Sequence, residues 1–493
     1  MEPFETALGR KRKINQSACN KDFSCLKGFC PSFVTIEGAE PRKAAATEVD
    51  PNSIPAPVAA RALNDAYNIA ITGVGGTGVL TIGSVMGMAA HIEGKAAMIL
   101  DMAGLAQKGG AVFSYLRLAD DPDKITSPRI VTGGADLLLA ADAVVAASKD
   151  GAVLCDATRT QGVVNTHLTP VADFIKNRDL DFRTGLTREK IAKRVEHQEG
   201  FHDFTALAER ALGDAIMGNM MMMGYALQKG LLPVGLGAII QAIELNGVAV
   251  EKNIQALHWG RKLAADPISV SELLGETEAE PSPQTLEEII AHREEHLTGY
   301  QNKRLAKRYR KLVDEVRAHD EGLAQAVAQN YTKLLSYKDE YEVARLFTNG
   351  KFEQRLADAF DEGGTISFHL APPFMGGKDP SGRPKKRKFS SRMMTGFRIL
   401  TKMKGLRGTW FDPFGKTAER RAERRLIKDY EADIKRALKA PNQQAALALA
   451  LLPDQIRGYG PVKLESMEDA AVKRAELLAV LDTPMDTAKL AAE

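Results

Sequence analysis

Apolar residues fall in short unbroken runs between Tyr67 and about residue 155, then take up helical spacing after residue 204. The run Ile69-Ala-Ile-Thr72 is too short for a stable helix and rich in β-branched residues, so it predicts a buried strand. Comparable runs predict strands at residues 96–101, 111–118, 143–146 and 152–155, with a helix through His91 between the first two strands. Repeated strand–helix units predict an α/β class: a Rossmann-like, doubly wound, mostly parallel sheet with helices on both faces. Residues 206–229, a stretch after Pro233 through Leu245, and 250–263 read as helices, with Met217 and Met220 to Met223 as adaptable core. Beyond residue 286 the text is charged and helical, predicting a mainly helical C-terminal domain. Pro-punctuated stretches at 44–60 and 266–285 read as linkers, leaving segments 1–43, 61–265 and 286–493.

Composition changes this picture little. The 493 residues allow two or three domains, and 44% hydrophobic with 26% charged residues is ordinary globular content. Four cysteines exclude a disulfide scaffold and point to a reducing, cytoplasmic setting. The most apolar stretch, 131–147, is interrupted by Asp136 and Asp142, so no membrane span is expected, and the first residues carry no apolar core of a signal peptide. Charge is distributed unevenly. Between Lys378 and Arg425 stand sixteen Lys/Arg against four Asp/Glu, although the whole chain is only +3. Such a stretch faces nucleic acid, a cofactor tail or an acidic protein, or else pairs with the chain's own carboxylates; Trp410, Phe411 and Phe414 beside it read as a packed turn.

The chemistry begins at Gly73-Val-Gly-Gly-Thr-Gly78. Strand, glycine turn and helix bring backbone N–H groups to an anion, and glycines remove Cβ atoms where a phosphate must approach. The candidate binding residues are Gly73, Gly75, Gly76, Thr77 and Gly78. Asp101, 23 positions on, stands where a dinucleotide fingerprint would place its ribose-binding acid. Such a turn also serves strand–helix packing without any ligand. Cys19, Cys25 and Cys30, spaced C-x5-C-x4-C before Pro31, suit an iron–sulfur cluster, less well zinc, and in either case form an incomplete ligand set; three unrelated thiols are the alternative. Cys155 reads as a buried, inert thiol and His258 as structural.

Together with Glu93-Gly-Lys95, Gln107-Lys-Gly-Gly110, Ser114-Tyr-Leu-Arg117 and Gly134-Ala-Asp-Leu137, the glycine loop resembles the gamma-type domain of 2-oxoacid:ferredoxin oxidoreductases. Gly218-Asn219, Leu232-Pro233 and Glu251-Lys-Asn253 continue that resemblance. The cysteine segment and the tail with Tyr337-Lys-Asp-Glu-Tyr-Glu-Val-Ala-Arg-Leu346 are similar to the C-terminal part of fused indolepyruvate:ferredoxin oxidoreductases. The resemblance implies oxidative decarboxylation of an aryl 2-oxoacid to its acyl-CoA, with electrons passing to ferredoxin. It implies coenzyme A as the substrate at the Gly75-Gly76 turn, with Lys95, Lys108, Gly109, Gly110 and Arg117 as further candidate contacts. No Gly-Asp-Gly occurs, so thiamine diphosphate and magnesium would sit on domains outside this sequence, supplied by a partner or upstream chain. An oligomer is expected, with neither membrane nor nucleic acid as partner. Two rivals are a nicotinamide-dependent dehydrogenase using Asp101 and a non-catalytic assembly subunit.

Overall fold

A computed structural model describes the chain apart from residues 1, 5, 17–18, 20–22, 29–32, 43–47, 60–62, 64, 104–109, 169–183, 275–284, 362, 373–376, 378–384 and 484–493. It divides into two compact units, residues 1–5, 9–20 and 43–279 in the first, and 6–8, 21–42 and 280–493 in the second. The N-terminal stretch therefore contributes to both: the hairpin β1 (Glu2–Phe4) and β2 (Lys11–Lys13) to the first, and β3 (Phe33–Glu37) to the second.

The first unit is built on a six-stranded sheet. Its strands are β4 (Tyr67–Val74), β5 (Ala96–Ala103), β6 (Ala111–Ala119), β7 (Leu137–Ala140), β8 (Gln161–Asn165) and β9 (Gly200–His202), in spatial order β5-β6-β4-β7-β8-β9. Only β6 runs against the others, paired antiparallel to both β4 and β5, so the sheet is mostly parallel as its alternation predicts. Successive residues point to opposite faces, and both faces are buried. Ile69, Ile71, Leu137, Leu139 and Val163 enter one core with α1 (Val79–Ile92), while Ala70, Leu138, Ala140 and Val164 enter the other with α2 (Ala143–Ala146) and α4 (Thr184–Ala192), the one-turn helix α3 (Lys149–Ala152) following α2 in the chain. The first core also takes in α5 (Phe204–Leu212), α6 (Gly218–Gln228), α7 (Leu236–Asn246) and α8 (Val250–Ala265), and α9 (Pro267–Leu274) closes the unit.

Several local expectations need correction. Residues 143–146 and 152–155 are not strands. Asp142 and Ser148 accept N–H bonds from Val145 (2.9 Å) and Gly151 (3.2 Å), capping the short helices α2 and α3, and the strand comes later at β8. The expected helix at 206–229 is interrupted where Gly213 adopts φ +71° and ends α5, and Asp214 caps a 3-10 turn before α6. The stretch expected as a first linker is, from residue 48 onward, a packed strap. Val49 and Ile54 are buried, Val49 N–H donates to Gln255 (3.1 Å), and Gln228 and Arg261 donate to the carbonyl of Pro55 (3.0 and 3.1 Å). Arg261 also meets His258 Nδ1 at 3.1 Å, which accounts for that histidine as structure. Met217 and Met220 to Met223 are all buried core.

The second unit is mainly helical. Its larger core joins α10 (Leu286–Tyr300), α11 (Lys303–Arg317), α12 (Glu321–Leu335), α16 (Ala418–Ala437) and α17 (Gln443–Leu451) around stacked Tyr309, Tyr331 and Tyr430. The smaller core forms where α13 (Glu340–Thr348), α14 (Lys351–Ala359) and α15 (Met393–Lys402) meet a sheet of β11 (Arg387–Ser390), β10 (Thr365–Leu370) and β3. This sheet, with its strand from residues 33–37, is absent from the sequence-based expectation because its strands are too far apart in the chain for a local pattern to join them. The helix α18 (Pro461–Val480) ends the described fold, and among the described residues no helix is long and apolar enough to cross a membrane.

Candidate functional site

Where β4 ends, the backbone turns through the glycine loop into α1. Gly75 N–H donates to the carbonyl of Gly110 (2.8 Å), tying the loop to the entry of β6. Thr77 then doubles back, its N–H and hydroxyl both donating to the carbonyl of Val74 (3.3 and 2.7 Å). Gly76 (φ +87°) and Gly78 (φ +78°) take left-handed conformations that disfavour any Cβ. Gly73 is needed for closeness instead: a Cβ there would stand 2.3 Å from Val79 Cγ2, so strand and helix could not meet as they do. Gly78 caps α1 without a side chain, and an α-helix leaves its first N–H groups without intrahelical partners. Gly76 is solvent-exposed. An anion at this turn therefore meets backbone donors and the positive end of a 14-residue helix, and among the described residues nothing stands within 4 Å of a Cβ built at Gly76.

One buried side chain holds the loop from below. Asn219, near the start of α6 and 9% exposed, donates from Nδ2 to the carbonyl of Thr77 (2.6 Å). The Gly218-Asn219 pair is visible in the sequence, but its reach across 142 residues to the glycine loop is not.

The loop opens at the carboxyl ends of the parallel strands, where β4 connects through α1 in one direction and β7 connects through α2 and α3 in the other. Ligands of open α/β sheets bind at such a switch point. Ala141, after β7, donates its N–H to the carbonyl of Thr72 (2.8 Å) and accepts from Asn165 Nδ2 (3.2 Å), which also donates to Thr205 Oγ1 (2.8 Å). Further along the same edge His167 Nδ1 lies 3.3 Å from Asp203 Oδ2, while Asp203 accepts the Ala206 N–H (2.7 Å) and so caps α5. Burial pushes the Asp203 carboxyl up, but His167, the Ala206 N–H and Arg210 outweigh it and hold the group below its usual range. Sequence reasoning missed Asn165, His167 and Asp203; the one available signal was an aspartate immediately before a helical stretch.

The remaining candidates scatter. Gly110 is at the loop through its carbonyl, whereas Lys108 and Gly109 lie outside the described residues. Arg117 is not brought to the site. Its partner across the sheet is Asn68, whose side chain accepts from Arg117 Nε (2.7 Å), while Nη1 donates to Ser127 O (2.6 Å). Gly73 pairs with Val112, so at about 3.4 Å per residue Arg117 is roughly 17 Å down the strand. Lys95 is likewise at the far end of α1, bonded to Glu93 and to the carbonyl of Pro233 (both 2.6 Å). Asp101 is on β5, which β6 separates from β4. Two strand spacings put it about 10 Å from the β4 axis, too far to complete a dinucleotide fingerprint. Cys19 belongs to the first unit, Cys25 to the second, and Cys30 lies outside the described residues. Among the described residues no three His, Cys, Asp or Glu side chains are grouped to hold a metal.

Fold, switch point and glycine loop define a mostly parallel α/β domain with an open glycine turn at the carboxyl ends of its strands. Residues 68–263 match the family described as pyruvate ferredoxin/flavodoxin oxidoreductase, and residues 286–476 match a family of unknown function, DUF6537. Indolepyruvate oxidoreductase subunit IorB of Pyrococcus horikoshii is 28% identical over 210 residues, which are 41% of this chain and 98% of that protein. The same subunit of Thermococcus kodakarensis gives the same identity and coverage. Among solved structures, the gamma subunit of a keto/oxoacid ferredoxin oxidoreductase from Geobacter sulfurreducens is 22% identical, covers 40% of this chain and 98% of its own, and has a TM-score of 0.29. The first unit of this chain thus carries a domain that matches the pyruvate ferredoxin/flavodoxin oxidoreductase family and is similar to the indolepyruvate oxidoreductase subunits.

Proposed function

We propose that the chain is the coenzyme A-receiving part of a 2-oxoacid:ferredoxin oxidoreductase that acts on aryl 2-oxoacids of the indolepyruvate type. In the net reaction the bond to the carboxylate breaks, carbon dioxide leaves, and a thioester bond forms to coenzyme A. Two electrons pass to two one-electron acceptors of the ferredoxin kind, and one proton is released. Thiamine diphosphate and its magnesium ion, which supply the decarboxylation chemistry, are assigned to domains outside this sequence, because no Gly-Asp-Gly is present to hold them.

The observation that carries the reading is the braced, open glycine loop at the switch point of a domain matching this family. Its N–H groups suit the pyrophosphate of coenzyme A, and Asn219 keeps them aimed by fixing Thr77. The displaced Asp101 argues against the nicotinamide alternative. Hydrogen exchange of the chain with coenzyme A, dephospho-coenzyme A and NADH tests the assignment. Protection of residues 75–82 by the two coenzyme A forms, without protection by NADH, is expected. Protection by NADH alone would transfer the domain to the dehydrogenase reading.

A further inference from the structure

In the second unit a tight turn holds two aromatic side chains out in solvent: Trp410 is 84% and Phe411 77% exposed. The turn is fixed from within. Buried Asp412 accepts the N–H groups of Gly408 (2.8 Å) and Phe414 (3.1 Å) and meets the Tyr341 hydroxyl (3.3 Å), and Phe414 packs edge-on against Tyr341. A pre-organised turn that exposes an indole and a phenyl ring keeps apolar surface in water without gain to the fold.

Cations surround it. Lys416 Nζ lies 5.8 Å from the Trp410 ring, and both line a surface hollow of about 190 Å³ with Thr409, Asp412, Gly415 and Arg424. Arg424 donates one nitrogen to the Gly415 carbonyl (2.6 Å), while its Nη1 is buried without a partner. The adjoining helix α16 turns Arg421, Arg425 and Lys428 to solvent at i, i+4 and i+7, one face of a helix. None of the three enters an ion pair among the described residues.

We propose that this surface docks an acidic protein segment, with Trp410 and Phe411 entering an apolar recess of the partner and its carboxylates meeting Lys416, Arg424 and the α16 stripe. The proposal stands apart from the reaction assigned above. Exposed tryptophan beside arginine has the composition of protein-interface hot spots. Charge complementarity selects an acidic partner, because Lys416, Arg421, Arg425 and Lys428 stand outward beside the two rings. A protein is favoured over nucleic acid because the two rings belong to a closed turn rather than to a row of stacking platforms along a groove.

The chain contains two tryptophans, and Trp259 is 1% exposed, so a shift in emission on binding reports Trp410. The full chain is titrated at low salt with a glutamate–tyrosine copolymer (4:1) carrying a fluorescent end label, excited separately from the protein. A 12-base-pair DNA duplex and vesicles with 30% phosphatidylserine are titrated in parallel. A saturable blue shift with the copolymer is expected, with affinity falling at least about tenfold in Phe411→Ala and in Arg421→Glu/Arg425→Glu. Anisotropy of the label gives the same ranking for Trp410→Ala, where the emission reporter is lost. All these positions are exposed, so folded variants are expected by circular dichroism. Tighter binding of the duplex or the vesicles, absence of copolymer binding, or affinity indifferent to these substitutions overturns the proposal.

Discussion

Replacing Gly76 by asparagine and Gly73 by alanine separates what the glycine loop does for a ligand from what it does for the fold. At Gly76 nothing stands within 4 Å of a built Cβ, and φ is +87°. Asparagine is the side chain that best tolerates the left-handed region, so Gly76→Asn costs the fold about 1 kcal/mol. In a domain of this size that is about 2–4 °C in Tm. The new side chain nevertheless occupies the space through which a phosphate would approach. Loss of one charge-assisted hydrogen bond of about 1.5–3 kcal/mol weakens coenzyme A binding roughly tenfold to a hundredfold. Gly73→Ala acts the other way. Its methyl would stand 2.3 Å from Val79 Cγ2 and 3.3 Å from Ala141 Cβ, and Val79 is buried with a stiff χ1. The start of α1 must shift, at about 1–3 kcal/mol. Calorimetric titration with coenzyme A and thermal melts are read side by side. Unchanged affinity in Gly76→Asn would remove the loop from the binding site. A wild-type melt for Gly73→Ala would refute the close strand–helix contact on which the loop's shape depends.

Other outcomes follow from single sites. Burial pushes the Cys155 thiol up to about 11 against the opposing influence of Arg194 and Thr160, so at pH 8 it stays protonated; an aromatic disulfide reagent should leave its peptide unlabelled in the folded chain and label it in urea, as read by mass spectrometry. In the second unit Arg407 forks onto Asp339 (2.5 and 2.8 Å), donates to the Tyr300 carbonyl (2.8 Å) and lies 3.6 Å from the centre of that ring, all of it buried. Arg407→Ala should cost about 3–5 kcal/mol in urea unfolding, and lysine, lacking the fork, should not restore it. Because the folded-state pKa of Asp203 is lowered, its contribution is present above the unfolded carboxyl value near 4 and is lost as pH falls through the lower folded one; Asp203→Asn should flatten that acid limb in pH-dependent melts.

What could be read from the sequence was local. The strand–loop–helix of β4 and α1 announces itself because apolar run, glycines and helical spacing all lie within 26 residues. Residues 143–146 could not be assigned by the same means, since a four-residue apolar run fits a buried strand or one helical turn equally; the deciding bond, Asp142 to Val145, comes from the polar residue before it. Sheet order was illegible for a different reason. The antiparallel insertion of β6 between β4 and β5 is a choice of pairing, and it moves Asp101 and Arg117 away from places that sequence distance assigned them. Asn219 shows the converse, a residue remote in sequence that the fold delivers to the loop.

The basic stretch 378–425 illustrates why charge counted along a chain does not map a surface. Several of its cations are engaged within the unit: Arg407 on Asp339, Lys404 on the Gly299 carbonyl (2.6 Å), Arg420 on Glu423 (2.6 Å), and Lys388 on Glu37 across their shared sheet (2.5 Å). Each bond serves a specific closure, and Arg407 and Arg420 tie the turn and α16 to the residues around α13. The charge that remains outward is therefore smaller than the +12 counted along this stretch and more ordered, set on the exposed side of α16 and beside Trp410. Salt dependence should reflect that division. Raising ionic strength screens the α16 stripe, whereas buried pairs such as Arg407 with Asp339 are screened far less, so partner binding should weaken steeply at salt concentrations that leave the melting of the unit unchanged. A melt that fell in parallel with binding would place the outward cations in the fold's own stability and deprive them of a docking role.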